Sequence, residues 1–526
     1  MRPSTIIVAI CFVIILGVPL AFRPAGESVL GTEELPGGEK ALDLIIITPH
    51  NEQIRYEFAR GFDRWHRRTH GQPVNVIWNV PGGTTEIRRM LEAQFTAAVE
   101  GGQQPGGNAD LVFGGGTREH GRLKTGVRIV ADGKERWEPI SATVDFTTEY
   151  LQSTFGENIV GDVALYDADK HWFGLVLSGF GIVFNHDVLS QLGLDEPHVW
   201  ADLCNPNLVG NVALVNPAQS GSIATAFEAI LKRSGWVEGW EILRRAGANA
   251  RYFSGSSLKP SIDVSQGNAA MGVSIDFLGR FQAQALREAG DGDRMRYIDP
   301  RNGSTIDSDP ISILRGAPHP ELAKRFIEYC LTDEGQALWQ LPRRDLSDSN
   351  SIGPERFELR RLPIRRDMYA KYFDRFIDKV NPFELATPFE HPDPNFRDFI
   401  SPMFAAMCMD THDELKAAWE AIVSHPAYPA NQNIVTAANV TDPTLKQMLE
   451  LFDAMPTVAG PDGYVLALSD VKNLGPVRQG WLRGEWSGRG LWNEESSASD
   501  ALRRQFTEFF RDNYRKIVDL AKGSRD

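Results

Sequence analysis

Few of the 526 residues are placed to do covalent chemistry. His391 stands in His391-Pro392-Asp393, and His412 in Thr411-His412-Asp413-Glu414. An imidazole beside a carboxylate can serve as a general base or a metal ligand. The same pairs also occur as solvated loop and helix-start residues, and Asp413 and Glu414 suit a first helical turn, where carboxylates complement the dipole. No Gly-x-Ser-x-Gly elbow is present, and no phosphate loop ending in Gly-Lys-Ser/Thr. Gly114-Gly115-Gly116 lacks the spacing of a dinucleotide fingerprint. Neither His-Glu-x-x-His nor Cys-x-x-Cys occurs, and Cys11, Cys204, Cys330 and Cys408 are too scattered for a zinc cluster or a disulfide framework. The reading is a non-enzyme without cofactor or bound metal. A hydrolase using His391 or His412 is the weakest alternative.

A different pattern recurs. Several apolar runs end in small polar residues just before a helical stripe: Thr48-Pro49-His50-Asn51, Gly114 to Thr117, Ser220-Gly221-Ser222, and Asp276. In an open α/β sheet, ligands sit beyond the carboxyl ends of strands, where helix N-termini offer free N–H groups to anions and polar atoms. The same residues are also what ordinary caps and turns require.

The elements that would position these residues alternate between strand and helix. Asp43 to Ile47 is a continuous apolar run, as expected of a strand covered on both faces. Ile54, Phe58, Phe62 and Trp65 follow at helical spacing. Val74 to Val80, a helix with Ile87, Met90, Leu91 and Phe95 on one face, and Leu111-Val112-Phe113 continue the pattern. Later strands are expected at Gly181 to Phe184, Val212 to Val215, Ala270 to Ile275 and Ile311 to Leu314, with one helix from about Pro320 to Trp339. After about residue 345 strand signals fade. Helical stripes take over at Tyr369 to Ile377, Leu445 to Phe452 and Phe506 to Ile517. An open α/β sheet is the natural architecture.

Bulk properties restrict the function. The chain is long enough for two or more domains. A formal charge of -14 disfavours nucleic-acid binding, which needs a basic surface to displace counterions. Thr5 to Phe22 is an uncharged run of 18 residues behind Arg2. That length is at the lower limit for a membrane span, and Arg2 favours keeping its short flank in the cytoplasm. Small residues suited to cleavage are missing around Pro19-Leu20-Ala21, so the run reads as an uncleaved anchor rather than a signal peptide. Residues 23–41 read as a tether.

An ordered series of segments carries a resemblance. Asp110 to Gly116, Ser178 to Asn185, Trp200 to Leu203, Val215 through Ser222 to Phe227, Met271 to Asp276, Asp309 to Pro318 and Ala323 to Trp339 resemble the extracellular solute-binding proteins of ABC importers. They are most similar to the subgroup that binds ferric iron and phosphonates. The resemblance covers roughly residues 42–345. It implies a two-lobed, type II periplasmic-binding-protein fold, here with an N-terminal transmembrane helix and a helical C-terminal extension. On that basis residues 42–128 form lobe one, 129–285 lobe two, 286–345 a return to lobe one, and 346–526 the extension. The implied ligand contacts are Thr48, His50, Asn51, Gly115, Gly116, Thr117, Ser178, Gly179, Ser220, Gly221, Ser222 and Asp276.

Iron-binding relatives carry a tyrosine pair at the position of Phe277-Leu278 and a glutamate in the loop that here reads Gly115-Gly116-Thr117. Neither is present. A small polar or anionic solute is therefore expected ahead of ferric iron. The implied partner is an inner-membrane ABC permease, and the implied location is periplasmic, at the membrane. The alternative is a membrane-tethered sensory or scaffold protein that reuses the fold.

Overall fold

The structure, a computed structural model, describes residues 41–131, 134–301, 303, 305–429, 432–492 and 497–523. The expected anchor (1–22) and nearly all of the tether (23–41) lie outside these residues. Among the described residues, no helix is long and apolar enough to cross a membrane.

The first run is β1 (Leu42–Ile47), α1 (Glu52–His70), β2 (Val74–Asn79), α2 (Thr84–Glu100), β3 (Leu111–Phe113) and α3 (Thr117–Thr125). A hairpin of β4 (Val127–Ala131) and β5 (Lys134–Glu138) follows. β1 pairs in parallel with both β2 and β3, as crossover helices require.

The longest strand is β6 (Phe173–Asn185), whose 13 residues are all buried. Beyond it come β7 (Val212–Val215), α4 (Gly221–Ser234), α5 (Trp236–Ala248), β8 (Ala250–Ser254), β9 (Met271–Ile275), α6 (Asp276–Glu288), β10 (Met295–Ile298) and β11 (Ile306–Ile313). One curved sheet runs in the order β2-β1-β3-β11-β6-β9-β7-β8. Phe173 to Gly179 of β6 pair with β11, whereas Phe180 to Asn185 pair with β9 and β10. The strand thus changes partners at Gly179/Phe180 and passes from one lobe to the other. The chain returns to the first lobe between β10 and β11.

Each lobe has its own apolar core. In the first, Leu44, Phe58, Phe113, Leu175 and Trp339 share a cluster with Val144, Phe146, Leu151 and Phe155. In the second, Phe184, Leu214, Phe227 and Trp240 pack together. The expected boundary at 128/129 therefore falls differently. The β4–β5 hairpin and residues up to about 172 belong to the first lobe, while β10 belongs to the second. The expected helix from Pro320 to Trp339 is two helices, α7 (Pro320–Cys330) and α8 (Asp333–Gln340), broken where the Thr332 hydroxyl accepts from the Gly335 N–H and caps α8.

Residues beyond 345 divide between the lobes. β12 (Leu362–Pro363), a short strand in a stretch expected to be helical, pairs with the first half of β6. Leu359 and Ile364 enter the first core. The chain then crosses to the second lobe and forms α9 (Phe396–Phe404), α10 (His412–Val423), α11 (Pro443–Asp453) and α12 (Ala498–Gly523). Their apolar stripes merge with the second core: Phe399, Phe404, Trp419, Phe452, Phe506 and Tyr514 belong to the same cluster as Phe227 and Trp240. A small hairpin, Thr457–Ala459 with Val465–Ala467, interrupts the helices.

Candidate functional site

A cavity of about 400 Å³ lies between the lobes, at the carboxyl ends of β1, β3, β7 and β9. Helix N-termini reach it from both sides. Asn51 caps α1 by accepting from the Ile54 N–H at 3.1 Å, and Ser220 caps α4 by accepting from Ile223 at 3.3 Å. Gly83 and Gly116 precede α2 and α3 and have no side chain to cap them, and at α2 the Glu86 carboxylate accepts from the Gly83 N–H at 2.7 Å. The first-turn N–H groups at these ends are suited to anions and polar oxygens.

The β3–α3 loop needs its glycines. Gly114 and Gly115 have φ of 98° and 111°, a region that side-chain-bearing residues rarely enter. A Cβ at Gly114 would also lie 2.6 Å from His50 Nε2. His50 packs edge-on against Phe113, with ring centroids 4.6 Å apart. Its Nε2 lies 4.0 Å from an Asp309 oxygen and has no hydrogen-bond partner among the described residues. Burial lowers its pKa to about 4 against the opposing pull of Asp309, so the ring is neutral at pH 7.

Two carboxylates of β11 face the β3–α3 loop. Asp309 accepts from the Gly115 N–H at 2.5 Å and from Arg361 Nη2 at 2.5 Å. Asp307 accepts from the Thr117 hydroxyl at 3.0 Å, and burial pushes its pKa up to about 6 despite that bond. Arg361 also donates to the Ser178 hydroxyl at 2.7 Å, and its guanidinium lies 4.5 Å from the centre of the Phe277 ring.

Of the residues expected as contacts, His50, Asn51, Gly115, Gly116, Ser178, Ser220, Gly221 and Ser222 line the cavity. Thr48, Thr117, Gly179 and Asp276 do not. Thr48 is fully buried and donates to the Phe113 carbonyl at 2.7 Å, holding the ends of β1 and β3 together. Thr117 supports Asp307 from behind. Gly179 marks the crossing in β6. Asp276 is fully buried beside Arg280, at 3.3 Å, with its pKa pushed up to about 6 by burial. It braces the start of α6 rather than facing the cavity. Lining residues that the sequence did not single out include Thr84, Glu86, Gln219, Ser256, Asp307, Asp309 and Arg361. Gly82-Gly83-Thr84-Thr85 after β2 repeats the strand–small-residue–helix pattern and was the available signal for Thr84. Arg361 carries no such signal. His391 and His412 are both away from the cavity, His391 on the chain crossing and His412 at the start of α10.

Residues 148–344 match the family model of bacterial extracellular solute-binding proteins, so the resemblance read from the sequence holds over that segment. An uncharacterised protein of Haemophilus influenzae is 32% identical over 161 residues, covering 30% of this chain and 44% of the relative. The phosphoglycerate transport regulatory protein PgtC of Salmonella typhimurium is 25% identical over 177 residues, covering 34% and 41%. The chain thus spans about two fifths of the length of these curated relatives. Among solved structures, it is similar to the substrate binding protein of an ABC transporter from Agrobacterium tumefaciens, with TM-score 0.49, 14% identity, and coverage of 71% of this chain and 96% of that one. It is also similar to the periplasmic binding protein AfuA of Actinobacillus pleuropneumoniae, with TM-score 0.45, 16% identity, and coverage of 72% and 98%.

Proposed function

We propose that the chain is an extracytoplasmic solute-binding protein that closes two lobes over a small polar or anionic solute and delivers it to an ABC permease. The observation that carries this reading is the convergence of helix N-termini from both lobes on one cavity, which also contains Arg361. The family match of residues 148–344 supports it, and the apolar run Thr5 to Phe22 supports export. Ferric iron is disfavoured because Phe277 and Leu278, which cannot ligate metal, line the cavity where iron binders carry tyrosines. Among the described residues no cluster of three or more His, Cys, Asp or Glu is arranged to hold a metal ion.

A second reading, that solute binding serves sensing rather than import, is supported by the similarity to PgtC, a phosphoglycerate transport regulatory protein. Thermal unfolding with phosphoglycerate, inorganic phosphate, putrescine and ferric citrate tests the binding reading. An anion is expected to raise Tm by a few degrees near saturation, and Arg361→Gln to remove that rise. No shift with any solute would sink the proposal. Co-purification of the solute-loaded protein with a permease, as against a membrane-bound kinase or regulator, separates import from sensing.

A further inference from the structure

The C-terminal extension does more than enlarge the second lobe. It adds a third covalent crossing between the lobes, beyond β6 and the return from β10 to β11. At this crossing the Phe389 N–H donates to Asp162 of the first lobe at 2.5 Å. Arg233 of the second lobe donates to the Thr387 and Pro388 carbonyls at 2.6 and 2.7 Å.

Immediately after it, α9 docks on the second core, with Phe396 4.8 Å from Trp236. Arg397 donates to the Gly221 carbonyl at 2.9 Å and to the Thr225 hydroxyl at 3.0 Å, holding the first turn of α4 where it lines the cavity. The adjacent Asp398 points the other way, to Arg118 of α3 in the first lobe. Arg478 and Arg483 of the extension donate to the same carboxylate at 2.6 and 2.9 Å. Burial opposes the charge on Asp398, but the guanidiniums outweigh it and hold its pKa below the ordinary range. Beside this pair the lobes touch: a Cβ at Gly221 would lie 2.7 Å from Thr84 Oγ1.

We propose that the extension is a built-in latch, in which Asp398, carried by the second lobe, grips Arg118 of the first and favours the closed arrangement before any solute binds. The solute then tips an equilibrium that the extension has already shifted, and opening requires this ion pair to break. The latch goes beyond the solute-binding reading and does not depend on which solute is bound.

The test uses the full chain without added solute, carrying spin labels at Arg89→Cys in the first lobe and Gln266→Cys in the second. Both positions are exposed, Cys204, Cys330 and Cys408 are buried, and Cys11 is replaced by serine in every sample. At low ionic strength the closed distance is expected to dominate. Arg118→Gln should raise the open-to-closed ratio about fivefold, the upper range for a partly exposed ion pair. Arg118→Lys should stay near the parent, and added salt should open the parent more than the Gln variant. Arg118 is partly exposed, so the variant is expected to fold; an unchanged near-ultraviolet circular dichroism spectrum checks this. Identical distance distributions for parent and Arg118→Gln, or a parent that is already open, would overturn the latch. A protein that binds solute but shows either result loses the latch and keeps the binding function.

Discussion

At the scale of single residues, burial in and behind the cavity works on titratable groups in opposite directions. His50 and His120 are both lowered to about 4 by burial, so each contributes stability that is full above pH 6.5 and lost as pH falls toward 4. Asp276 and Asp307 are raised to about 6 by burial. Their contribution is full below the usual 3.8 and is lost as pH rises through 6. Between pH 4 and 6 the two pairs oppose each other. Asp307→Asn should therefore raise stability at pH 7 by about 1–3 kcal/mol, since a buried charge is removed. It should also steepen the loss of stability on acidification, because the opposing carboxylate is gone. Denaturant unfolding at pH 7 and pH 5 reads both effects. A variant no more stable than the parent at pH 7 contradicts the assignment.

These residues were unevenly legible. Strand-end caps such as Asn51 and Ser220 announce themselves because polar side chains before a helix have a local physical reason to be there. Thr48 and Asp276 carry the same local signature, yet hydrogen bonds to the Phe113 carbonyl and to Arg280 turn them away from the cavity. Asp307 and Asp309 lie within a strand, where only the pairing of β11 with β6 and its place beside the β3–α3 loop reveal which side chains face the site. Arg361 is more distant still, reaching the cavity from the extension through the two-residue strand β12.

At the scale of elements, the extension is anchored by buried charge as well as by apolar stripes. Arg245 of α5 is fully buried and bonds Asp453 at the end of α11 through two N–H groups, at 2.7 and 2.9 Å, and the Val435 carbonyl at 2.6 Å. Its guanidinium lies 5.4 Å from the Phe452 ring centre. Asp453→Ala leaves that cation buried without its partner and is expected to cost about 3–5 kcal/mol. A denaturation midpoint close to the parent's would show that the extension is held by apolar packing alone. The stripe Leu445, Met448, Leu449 and Phe452 was readable because helical period is a property of one segment, and all four side chains are fully buried. What the stripe faces was not readable, because any apolar surface satisfies it. Only the fold pairs it with α5 and α12.

At the scale of the whole molecule, two lobes joined by a shared strand explain why the lobe boundary was misplaced. Local pattern distinguishes strand from helix but not which sheet a strand joins. β6 reads as one apolar run, and its change of partner at Gly179/Phe180 depends on β9, β10 and β11, each far along the chain. The α/β character and the ordered family segments were legible over much of the first 345 residues. The division of the extension between both lobes was not, because it follows from packing across hundreds of residues.

The second core is assembled from strands near the middle of the chain and from α12, whose Phe506, Tyr514 and Ile517 complete the packing around Trp240 and Phe452. The helix is therefore a wall of the second lobe and not an ornament on its surface. Were α12 to lift away, the aromatic and aliphatic side chains beneath it would face water together, and an exposed apolar patch of that kind draws protein molecules into association.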